Sequence, residues 1–140
     1  MCIVSDLVIS RRHSLAFILV GGFWGTYAAL VPVIQNRLDV ADATFGLLLL
    51  CSGIGVIFAI WFAPLCDSIL RERSIQITAL VFAFVVLLPE FASSAFNFGI
   101  IMLLLGISSG VLDVLINARV SELEGESKRS LMNANHGVFH

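Results

Sequence analysis

Residues 98–118 read FGIIMLLLGISSGVLDVLINA, 21 positions with a single charge at Asp113. As a helix rising 1.5 Å per residue, such a stretch covers about 30 Å, the thickness of the hydrocarbon core of a bilayer. Upstream, the chain is apolar from 75 to 118 apart from Glu90 and Asp113, which is too long for one crossing. The polar patch from Ser93 and Ser94 to Asn97 divides it into a third helix, 75–92, and a fourth, 98–118. Two further uncharged apolar stretches precede it, at 15–34 and 45–65. The expected architecture is therefore all-α, a polytopic membrane bundle whose four transmembrane helices occupy 15–118. Residues 1–14 form a cytoplasmic N-terminal segment. Residues 119–140 form a cytoplasmic loop followed by Leu131 to His140, which reads as the first turns of a truncated fifth helix.

Composition supports the same class. Of the 140 residues, 59% are hydrophobic and 13% charged, and the mean hydropathy is +1.00. Soluble domains run nearer 45–50% apolar and about 25% charged. A soluble fold of this size could not hide so much apolar surface, and disordered chains have the opposite bias. A net charge of −2 without a basic stripe gives no footprint for a nucleic-acid partner. Cys2, Cys51 and Cys66 are an odd set without metal-ligand spacing, and Cys51 and Cys66 sit in apolar surroundings as small hydrophobes. No metal or other cofactor is implied. Arg11 and Arg12 precede the first apolar stretch, but that stretch is about twice the length of a signal-peptide core, so it reads as a retained helix.

Lysine and arginine in short loops set orientation. With the N-terminus inside, the cytoplasmic segments carry Arg11, Arg12, Arg71, Arg73, Arg119, Lys128 and Arg129, against Arg37 alone outside, beside Asp39 and Asp42. Both ends of the chain are then cytoplasmic.

Asp113 is the most informative residue. A carboxylate within a spanning helix costs at least ~2.5 kcal/mol on insertion scales, so it normally faces a cavity or a partner. Gly106, Gly110, Asp113 and Asn117 fall on one narrow face at 100° per residue. The small residues admit a neighbouring helix, and the acid and amide line what space remains. There Asp113 can exchange a proton during a transport cycle or accept hydrogen bonds from a solute; the structural alternative is an ion pair with Arg119. Glu90, after Pro89 near the outer end of its helix, reads mainly as an interfacial acid. In the first helix Trp24, Tyr27 and Gln35 are candidates for a solute cavity, with plain packing the alternative for Trp24. Gly21 and Gly25 are spaced for helix packing, and Pro32 for a kink. In the short loop over 63–73, Asp67, Arg71 and Arg73 form a charge cluster that can pair with neighbouring helix ends; by spacing alone it reads as a topology anchor.

That loop resembles the signature between helices two and three of the major facilitator superfamily, Gly-x-Leu-x-Asp-Arg-x-Gly-Arg-Arg. Pro64, Leu65, Asp67 and Arg71 match it, while Ala63, Ser68 and Leu70 stand at its first glycine, arginine and second glycine. The fourth helix is similar to the fucose-permease-type branch and related sugar-type permeases through Gly110-x-x-Asp113-x-x-x-Asn117. Further on, Arg129-x-Leu131-x-Asn133-x-x-His136-Gly137-x-Phe139 is similar too, as are Trp24-Gly25 and Pro32-x-x-Gln35 in the first helix.

The resemblance implies a secondary active transporter of twelve helices, of which this chain supplies an N-terminal four, moving a small polar, sugar-like solute by proton symport and alternating access. It implies that Asp113 couples protons and solute, that Asn117 lines the cavity, that Asn133 and His136 enter it from a fifth helix, and that Asp67, Arg71 and Arg73 act as a conformational latch. The partners would be the solute, protons, the lipid bilayer and the remaining C-terminal helices. Fucose permease carries a second acid in helix one, where Pro32 stands here. Two other readings suit the length: an oligomeric four-helix exporter and a membrane scaffold subunit. An enzyme is not expected, since no nucleophile–base pair or phosphate loop is present, and His13 and His140 stand alone near the termini.

Overall fold

The computed structural model describes residues 11–127. They form four α-helices: α1 (Arg11–Leu38), α2 (Asp42–Leu70), α3 (Ser74–Val85) and α4 (Ala95–Ser127). Short 3₁₀ turns at Arg71–Arg73 and Leu88–Phe91 flank α3, and the described residues contain no strand. The fold class is the all-α membrane bundle that the apolar stretches predict. Among the described residues, three stretches are long and apolar enough to cross a bilayer: Ile18–Leu38, Asp42–Phe91 and Ala95–Glu126. The middle one spans 50 residues and turns back at Arg71–Arg73 to give α2 and α3.

Over the expected third span of 75–92, α3 is α-helical only to Val85 and ends in the 3₁₀ turn Leu88–Phe91. Its α-helical part is only 12 residues, about 18 Å long. Beyond Val86 the hydrogen bonds tighten to i→i+3, from Leu87 N to Phe84 O, Glu90 N to Leu87 O and Ala92 N to Pro89 O. Pro89 has no N–H to continue an α pattern, and its ring disfavours the α conformation in Leu88. The other helices run past their apolar stretches by several residues at each end. Proline does not interrupt them: α1 continues through Pro32 and α2 through Pro64. Membrane helices tolerate proline where neighbours re-satisfy the freed carbonyl.

Helix α4 is the centre. In its most apolar window 56% of residues are buried, against 17% in each of the other two spans. One face packs Leu112, Ile116 and Val120 against Val20 of α1 and Phe82 of α3. Further along, Phe98, Met102 and Leu105 meet Tyr27 and Ile34 of α1 and Phe45 of α2, with Phe45 and Phe98 stacked at 5.6 Å. A third face sets Val111 and Leu115 on Ala59 and Ala63 of α2.

The α2–α4 crossing is the closest in the bundle, and small residues make it. A Cβ on Gly106 would collide with the Ser52 carbonyl, and one on Gly55 with the Leu103 carbonyl. At Gly110 it would stand 2.7 Å from the Ala59 Cβ. Backbones approach this closely in a membrane because dispersion between them replaces the missing hydrophobic drive. Gly25, expected to mark a packing face with Gly21, instead meets nothing within 4 Å. The outward side of α2, with Leu50, Ile54, Ile57, Trp61, Leu65 and Ile69, remains exposed and apolar.

Candidate functional site

The line predicted along α4 divides into two halves. Gly106 and Gly110 are consumed by the crossing with α2. Asp113 and Asn117, about two and three turns beyond Gly106, are half-buried. The Oδ1 atom of Asn117 is buried and has no hydrogen-bond partner among the described residues. An unmet buried acceptor of this kind costs about 1–3 kcal/mol. The helix thus presents an acceptor that a donor from a solute or from a further helix could satisfy.

Trp24 packs against the cluster of Val20, Phe82, Leu112 and Ile116, on the stretch of α4 that carries Asp113. It belongs to an aromatic group centred on Phe23, whose ring lies 5.2 Å from Trp24, 5.6 Å from Tyr27 and 5.5 Å from Phe82. Tyr27 is buried, and its hydroxyl donates to the Met102 thioether at 3.4 Å. Tyr27 also borders a cavity of about 390 Å³ between α1 and the end of α3, lined by Phe23, Thr26, Ile34, Leu87 and Pro89 among others. That lining is almost wholly apolar, so it offers a polar solute little.

Gln35 is not brought to Asp113. It sits near the end of α1, where its amide donates to the Val40 carbonyl at 3.4 Å and to the Asp42 carboxylate. These bonds brace the short connection between α1 and α2, in which Asp39 takes a left-handed φ of 51°. Asp tolerates that conformation better than most residues. Asn133 and His136 lie outside the described residues.

At the other end of the bundle, Asp67 pairs with a residue that spacing did not nominate. Arg119 Nη2 donates to Asp67 Oδ1 at 3.0 Å, and Ser74 Oγ donates to the same oxygen at 2.9 Å. Arg119 Nη1 donates to Glu122 at 2.9 Å. The network therefore ties the last turn of α2 to the start of α3 and to α4. Arg71 contributes through its backbone, with a φ of 51° and its N–H donating to the Asp67 carbonyl, closing α2. The side chains of Arg71 and Arg73 are exposed, and Arg71 borders an open cleft with Asp67, Ser68, Glu72 and Arg119.

Arg37 is the second residue that spacing undervalued. Its guanidinium donates from Nη1 to the Glu90 carbonyl at 2.9 Å and from Nη2 to the Pro89 carbonyl at 2.7 Å. The Glu90 carboxylate stands 3.1 Å from Nη1. A lone arginine beside a loop gives no sign that its partners lie more than 50 residues away.

No family model matches the chain, and no solved structure matches it. Known proteins do. An uncharacterized MFS-type transporter of Yersinia pestis is 31% identical over 140 residues, covering 97% of this chain and 35% of that protein. The chain is similar to major facilitator transporters. An uncharacterized transporter of Sinorhizobium fredii is also 31% identical, over 92% of the chain and 34% of its own length. The membrane protein MosC of Rhizobium meliloti is 27% identical over 86% of the chain and 30% of its own length. The chain thus spans about a third of the length of the curated relatives it matches.

Proposed function

We propose that this chain supplies the first four helices of a major facilitator secondary transporter, which moves a small polar solute by alternating access. Its similarity to MFS-type transporters covers nearly the whole chain but only about a third of theirs, which suits a four-helix part of a twelve-helix bundle. Both termini of the chain lie on the cytoplasmic side, as the arginine distribution favours. Lipid and the remaining helices of the same transporter cover the exposed apolar sides of α1, α2 and α3.

The observation that carries the solute site is the buried, unmatched Oδ1 of Asn117 one turn beyond Asp113. Together they present an amide acceptor and a carboxylate on the central helix, a set that recognises solute hydroxyls. Asp113 binds solute and exchanges the proton that couples to it, and Trp24 supplies an aromatic face nearby. Asn133 and His136 would complete the set from a fifth helix. In the transport cycle the Asp67–Arg119 pair opens and closes as the halves rock.

Two measurements test the reading. Immunoblotting of native membranes should give a band near three times 15.2 kDa, the ratio set by the relatives' lengths. A product of 15.2 kDa would instead favour the oligomeric exporter or scaffold. Uptake by the full-length protein should be lost in Asp113→Asn; unchanged uptake would overturn the role of Asp113.

A further inference from the structure

We propose that Arg37 is a strap: it binds the end of α1 to the 3₁₀ turn between α3 and α4, so that at this end of the bundle α1 and the turn move as one body. The geometry is specific to a guanidinium. Two nitrogens of one planar fork reach two consecutive backbone carbonyls, those of Pro89 and Glu90, at 2.7 and 2.9 Å. The Pro89 carbonyl already accepts from Ala92 N at 3.3 Å, so the guanidinium adds a second donor there and meets the Glu90 carbonyl, one of those a helix end leaves without an intrahelical partner. A forked, permanently charged donor meets two at once, which an ammonium cannot do in the same plane.

The position gives the strap its mechanical effect. Between α1 and the end of α3 lies the apolar cavity of about 390 Å³, and the strapped residues Pro89 and Glu90 form part of its wall. Side-chain packing across that gap is incomplete, so the polar tie from Arg37 holds its two sides at a fixed separation. The Glu90 carboxylate adds an ion pair, but its side chain is 74% exposed, where such pairs contribute little. The strap therefore rests on the carbonyls, and Glu90 is dispensable to it. Arg37 is a positioning residue, and nothing in the strap needs it to touch a solute.

The test is a distance measurement between spin labels at Asn36→Cys and Ser93→Cys, both exposed positions, in the full-length protein in lipid nanodiscs. Cys2, Cys51, Cys66 and any further cysteines are replaced by serine. With Arg37 present, one narrow distance is expected. Arg37→Lys, which keeps the charge but not the fork, should raise the population at longer distance about tenfold, equivalent to about 1.4 kcal/mol. Glu90→Gln should leave the distribution unchanged. Should Arg37→Lys not reach the membrane, Arg37→Gln serves, with a single amide donor in place of two. A distribution unmoved by either Arg37 variant would overturn the strap, and Glu90→Gln broadening it as much as Arg37→Lys would reduce it to an ion pair. The distances report on the strap whether or not the protein transports. Impermeant maleimide applied to intact cells and to inverted vesicles separately reports which side of the membrane Asn36→Cys faces.

Discussion

Arg119 Nη2 lies 3.0 Å from Asp67 Oδ1, so two residues 52 positions apart join the end of α2 to α4. Arg119 also donates to Glu122, and Asp67 also accepts from Ser74 Oγ, so each partner is held in place by a second contact. The pair is nevertheless open to water, with side chains 34% and 39% exposed. It is a contact of modest depth, suited to breaking and re-forming.

A double-mutant cycle with Asp67→Asn and Arg119→Gln should accordingly return a coupling energy of no more than about 1 kcal/mol. Thermal unfolding of the purified protein in detergent measures it, and the coupling should shrink at high salt. A coupling of several kcal/mol would show a buried structural bridge instead.

The α2–α4 crossing should tolerate no added atoms. Gly106→Ala must push its Cβ into the Ser52 backbone, and Gly55→Ala meets the Leu103 carbonyl. Each should cost about 1–3 kcal/mol through overpacking. Gly25→Ala, with open space around it, should be neutral or stabilise by up to about 1 kcal/mol through helix propensity. Melting temperatures of the three variants, measured together, check the ordering.

Asn117 should separate stability from activity. Asn117→Leu removes an unmatched buried acceptor, so this chain should hold its stability or gain about 1–3 kcal/mol. In the full-length protein the same substitution should abolish solute uptake. A variant that melts earlier and still transports would reverse both assignments.

The central part of the fold was legible because it depends on composition over long stretches. A stretch of 21 mostly apolar positions with a single charge leaves few choices, and the spacing of Gly106, Gly110, Asp113 and Asn117 placed the small and polar residues on one line. What that line meets was not legible. Gly55 and Ala59 gave no sign that α2 would cross at Gly106 and Gly110, because register between two apolar helices depends on shape rather than on pattern. The shortening of α3 did have a local signal in Pro89, whose effect extends back to the hydrogen bond from Leu87 to Phe84.

The polar contacts divide in the same way. Gln35 was chosen for its position in the first helix, yet its amide is spent on Val40 and Asp42 only a few residues away. Tyr27, a cavity candidate by sequence, is buried against Met102 and also borders the apolar cavity between α1 and the end of α3. Arg37 and Arg119 were read through their charge alone, as markers of orientation. Their bonding partners depend on which helix ends the bundle brings together, and spacing along the chain does not carry that.

The role of Asp113 is tested most directly in proteoliposomes containing the full-length protein and a trapped pH indicator. A panel of neutral monosaccharides and polyols is added outside, and solute-driven proton entry is recorded for the natural protein and for Asp113→Asn. At least one solute should drive proton entry with the natural protein, and that signal should vanish in Asp113→Asn at unchanged protein content. Proton entry that persists in Asp113→Asn with the same dependence on pH would contradict that role.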